Sequence, residues 1–65
     1  MKLGDKIKQL RVLKGKTQTD MAKELGIQQH GLSEWEKGTH KPTLKSLKKL
    51  ADYFNIDLQQ LTKLL

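Results

Sequence analysis

Apolar residues recur at helical spacing in five blocks, separated by short polar breaks. Leu3, Ile7, Leu10 and Leu13 form one stripe of a helix expected over Lys2–Lys14. Asp5 in its first turn and Lys14 in its last suit the helix dipole, and Gly15 is placed to stop it. Arg11 stands four residues after Ile7, on the inward side, and so needs a partner. Thr17 is suited to cap a second helix, with Asp20 three residues on. Its inward face is Met21, Ala22 and Leu25. Gly26 breaks it, Ile27 plugs the turn, and Gln28 stands at the next N-cap, where a shorter side chain would cap better. In a third helix, Gln29–Lys37, Leu32, Trp35 and Glu36 share one side and Gln29, His30, Ser33, Glu34 and Lys37 the other. Gly31 in its middle costs about 1 kcal/mol of helix propensity, which points to close packing or to close approach of a ligand. Gly38 ends it.

Beyond the loop Gly38–Pro42, Thr43 caps a fourth helix with an apolar set of Leu44, Leu47, Leu50, Ala51 and Phe54. Its Lys45, Lys48 and Lys49 face outward as a solvated surface. After a break at Asn55–Ile56, Asp57 caps a fifth helix running from Leu58 towards Leu65, with Leu58, Leu61, Leu64 and Leu65 apolar. No strand, repeat or linker interrupts this pattern. The expectation is an all-α chain, a compact five-helix bundle forming a single domain over residues 1–65.

Composition narrows the chemistry. Sixty-five residues leave no room for an enzyme-sized cavity. Without cysteine there is no disulfide and no Cys-based metal site. His30 and His40 are ten residues apart with no supporting cluster, so no metal and no other cofactor is expected. Ser33 lacks the base and oxyanion element that a nucleophile needs, so the chain is not expected to be an enzyme. The charged amino-terminal stretch is unlike a secretory signal, and no apolar run is long enough to span a bilayer. The net charge is +6, unevenly placed: residues 1–50 carry 12 Lys and Arg against 5 Asp and Glu, whereas residues 51–65 are slightly acidic. A basic body attracts polyanions.

The stretch Gln18–Lys37 carries the sharpest signal. Met21 and Leu25 are apolar, Ala22 is small where two helices would cross, and Gly26 supplies the turn. Ile27, Leu32 and Trp35 fill the angle between the helices. Two helices joined by a glycine turn at a steep angle form the DNA-binding helix-turn-helix. The chain resembles the Cro/phage-repressor class of helix-turn-helix regulators, the Xre family. The segments TQxxxAxxLGI, SxWExG and PxxxxLxxLAxxF, from Thr17, Ser33 and Pro42 respectively, carry the resemblance, which covers nearly the whole chain. It implies a lambda-repressor-like five-helix domain that binds palindromic operators as a homodimer. It also implies a cytoplasmic, nucleoid-associated protein of prokaryotic or phage origin.

Carried over by position, the resemblance assigns base reading to Gln28, Gln29, His30, Ser33 and Glu34, and phosphate contacts to Thr17, Gln18, Lys37, Thr39, Lys41 and Thr43. It pairs Arg11 with Glu36 in an internal salt bridge. The chemistry agrees in part: glutamine bonds bidentately to adenine, and glutamate accepts from the cytosine amino group. Glu34 departs from the pattern, because phosphates repel a carboxylate. Tyr53, Leu58, Leu61, Leu64 and Leu65 are expected to form a homodimer contact, against the plainer reading that the tail leucines only close the core. The expected partners are therefore double-stranded DNA and a second copy of the chain, with no membrane and no small-molecule ligand. A competing reading is a protein-interaction module, an antitoxin or an adaptor, on the same scaffold.

Overall fold

Five helices form, and the boundaries of the second, third and fourth have local causes. The computed structural model describes Met1–Leu65 and contains α1 (Leu3–Leu13), α2 (Gln18–Leu25), α3 (Gln29–Lys37), α4 (Leu44–Phe54) and α5 (Gln59–Thr62). At the start of α2 the Thr17 hydroxyl accepts the Asp20 N–H at 3.0 Å, while Asp20 accepts the Thr17 N–H at 3.2 Å. The turn into α3 needs a left-handed residue, and Gly26 supplies it at φ 71°. Thr43 caps α4 by accepting from the Ser46 N–H. Gln28 occupies the N-cap of α3 without a side-chain cap bond.

The core takes side chains from every helix. Ile7, Met21, Leu32, Leu47, Leu50 and Leu61 are fully buried, each worth about 1.5–3 kcal/mol of apolar burial. Helix α3 packs chiefly on α1 and α2, while α4 packs on α5 and α2. Gly4 of α1 lies directly against the backbone at the end of α3. A Cβ there would lie 2.5 Å from the carbonyl oxygens of both Trp35 and Glu36. The backbones meet only because residue 4 has no side chain.

Five expectations change. Leu13 is 77% exposed and Leu44 is 56% exposed, because their helices extend past the core at those ends. Helix α5 is one turn, Gln59–Thr62, and its N-cap is Leu58 rather than Asp57. After it the bonding tightens from i→i+4 to i→i+3, with Leu64 N–H on the Leu61 carbonyl and Leu65 N–H on that of Thr62. Leu61, expected at a dimer contact, is completely buried; that position is spent on closing the core.

Candidate nucleic-acid interface

The outer side of α3 and the loop behind it form one continuous polar surface. Gln28, Gln29, His30 and Lys37 are exposed; Ser33 and Glu34 are half-buried. Thr39, His40, Lys41 and Thr43 continue the exposed surface across the loop to α4. Two helix starts border it. The first-turn amides of α2, at Gln18 and Thr19, and of α4, at Leu44 and Lys45, have no carbonyl partner within their helices. Such amides are ready donors to phosphate oxygens.

A chain of hydrogen bonds ties this surface to the interior. Gln29 Nε2 donates to Gln18 Oε1 at 2.7 Å, and Gln18 Nε2 donates to Glu36 Oε1 at 3.0 Å. Glu36 also accepts from Arg11 Nε at 2.8 Å and Arg11 Nη2 at 3.1 Å. The remaining Arg11 nitrogen, Nη1, donates to the Lys16 carbonyl at 2.8 Å. Only 11% and 4% of the two charged side chains is exposed, so each is the other's condition for burial. The bonds to Glu36 hold the Arg11 guanidinium more firmly protonated than usual, outweighing the desolvation that opposes it. Gln29 and Gln18 thus stand in fixed orientations before any ligand arrives.

Glu34 sits between two histidines, His30 one turn back on α3 and His40 in the loop. Sequence reading did not place His40 on this surface. It lies six positions after Glu34, beyond the end of α3, and no periodicity signals that contact. Gly31 has open space where a Cβ would be, which removes close internal packing as its reason.

The tail is used mostly inward. Leu58 and Leu64 are half-buried against the core, and Leu65 is 58% exposed. The Tyr53 hydroxyl donates to Glu24 Oε1 at 2.6 Å, with the Lys14 ammonium 5.0 Å from its ring centre. Partial burial, then the bond to Glu24, push its pKa up to about 12. The same bond, followed by the ion pair with Lys16, lowers the pKa of Glu24. The largest cleft, about 330 Å³, lies between Leu3, Trp35, Pro42 and Leu64, and no serine, threonine or carboxylate lines it. No helix is long and apolar enough to cross a membrane.

A helix-turn-helix family model matches residues 7–61, spanning all of α2, its turn and α3. The chain belongs to the Cro/C1-type helix-turn-helix family. Its helix-turn-helix is the DNA-binding element of transcription regulators. Members similar to it include the ImmF control region 10 kDa protein of Bacillus phage phi105, 43% identical over 92% of this chain and 67% of that one. The transcriptional repressor RstR of the cryptic phage CTXphi of Vibrio cholerae is 34% identical over 94% of this chain and 54% of its own. The transcriptional activator BcrR of Enterococcus faecalis is 33% identical over 94% of this chain, which spans only 30% of BcrR. What this family member shares with these relatives is therefore the DNA-binding portion.

Proposed function

We propose that this chain binds double-stranded DNA sequence-specifically, with α3 in the major groove, as a homodimer on an inverted repeat. The observation that carries the proposal is the surface just described: exposed Gln28, Gln29 and His30 with Ser33 beside them, bordered by Lys37, Lys41 and the helix starts at Thr17–Gln18 and Thr43. Gln29, held by Gln18, suits a bidentate contact to adenine. Thr17, Gln18, Lys37, Thr39, Lys41 and Thr43 flank it as phosphate contacts, which set register without reading sequence.

Size supports two copies. The molecule measures 26 × 24 × 21 Å, less than the roughly 34–36 Å between successive half-sites on one face of the duplex. The contact between copies would draw on Leu65 with the outer parts of Tyr53, Leu58 and Leu64. Repression by occupying a promoter, in a bacterial cytoplasm, follows the similar phage repressor RstR.

Selection of binding sites from random duplexes, followed by footprinting, tests the proposal. The expected product is an enriched palindrome with half-sites about one helical turn apart. An enriched motif without symmetry would remove the homodimer, and no enrichment at low salt would remove sequence-specific binding.

A further inference from the structure

The cleft of about 330 Å³ beside the end of α3 has an apolar floor and a basic rim. Leu3 and Pro42, which line it, are buried, and Trp35 and Leu64 are half-buried. Lys2 and Lys41 line it and are exposed. These side chains come from the start of α1, the end of α3, the loop to α4 and the tail, so no local pattern in the sequence marks the cleft.

Its charge is of one sign. Neither Lys2 nor Lys41 makes an ion pair. Two carboxylates are close in the chain or in space, but neither lines the cleft. Asp5 follows Gly4 in α1 and accepts the Lys2 backbone N–H at 3.4 Å. Glu34 lies against His40, whose imidazole is part of the lining. Two unpaired ammonium groups beside an apolar floor complement the opposite arrangement, an apolar body that ends in an anion. Size limits that body. Small-molecule sites span about 300–1,000 Å³, and this cleft is at the lower end, with room for one small molecule. The half-buried indole of Trp35 favours a flat ring, since aromatic groups gain from stacked or edge-on contact beyond the area they bury.

We propose that this cleft binds a small aromatic carboxylate, with its ring against Trp35 and its charge between Lys2 and Lys41. Lys41 is also among the phosphate contacts proposed above. The ligand and DNA then compete for one cation, and each lowers the affinity of the other. The competition rests on the DNA-binding proposal, whereas the site itself does not.

Titration of the free protein with 2-naphthoate, followed by proton–nitrogen NMR, tests the site. Trp35 is the single tryptophan, so its indole N–H gives one resonance at the cleft. That resonance should shift saturably, with a dissociation constant of about 1 mM or below. The neutral 2-naphthamide should bind about threefold or more weakly, and the cationic 2-naphthylmethylammonium more weakly still. Lys2→Gln combined with Lys41→Gln should abolish the difference between acid and amide. Lys48→Gln, outside the cleft, should preserve it. No saturable shift at Trp35, or equal binding of acid, amide and ammonium, overturns the site. A preference for the acid that survives the double change overturns the role of the two lysines. Fluorescence anisotropy with a random-sequence duplex tests the competition. Saturating 2-naphthoate should reduce the slope of log affinity against log salt by about one unit, and an unchanged slope overturns the competition. Absence of DNA binding would instead remove the DNA-binding proposal, and the Trp35 titration would still decide the site.

Discussion

Gln29 is exposed and hydrogen-bonded to Gln18, which suits a residue that reads a base. Its amide is already oriented by Gln18, so little side-chain freedom remains to be lost on binding. Gln29→Ala is expected to lower discrimination at individual base pairs by about 1–3 kcal/mol while leaving affinity for random DNA nearly unchanged. Competition binding with single-site operator variants would check this; equal loss on all sequences would contradict a reading role. Tyr53 yields a separate prediction. It is the single tyrosine, so its ionisation can be followed directly by ultraviolet absorbance. The phenol should titrate near 12, well above the ordinary value of 10.0. Because the folded-state value is the raised one, its contribution to stability is complete below the unfolded value. It is lost as pH rises from about 10 towards 12. Glu24→Gln should bring the titration down by removing the charge that the phenolate would face.

At the scale of helices, two glycines have opposite roles. Gly31 has open space at its Cβ position, so Gly31→Ala should stabilise α3 by about 0.5–1 kcal/mol and raise the melting temperature by several degrees. Gly4 lies against two backbone oxygens of α3, so Gly4→Ala must separate the helices and should cost about 1–3 kcal/mol. Thermal unfolding followed by circular dichroism would show the two shifts in opposite directions. This contrast also marks the limits of what sequence makes legible. The boundaries of α2 and α3 could be read because Thr17, Gly26 and Gly38 act within one or two residues of their place in the chain. The role of Gly4 could not, since it depends on where the end of α3 passes. Nor does periodicity say how far a core extends: Leu10 packs on it, while Leu13, the next leucine of the same stripe, is exposed. Of the candidate site, the Gln29 face was legible from helical spacing, whereas the His40 contact with Glu34 required a loop path that no local rule sets.

The whole molecule is a cation with its excess charge in residues 1–50, and DNA affinity should therefore depend steeply on salt. Lys41→Ala should weaken binding to all duplexes alike and reduce the slope of log affinity against log salt by about one unit. A salt titration with operator and random DNA would check both parts. The link from Gln29 through Gln18 and Glu36 to Arg11 has an evolutionary corollary. Descendants moving to new operators can exchange Gln28 or Ser33 without disturbing an internal bond. A change at position 29 leaves the Gln18 side-chain oxygen without its donor, and a change at Glu36 leaves a guanidinium stranded inside the protein. Divergence in operator choice should therefore begin at the untethered positions and reach residue 29 late, with compensating change at residue 18.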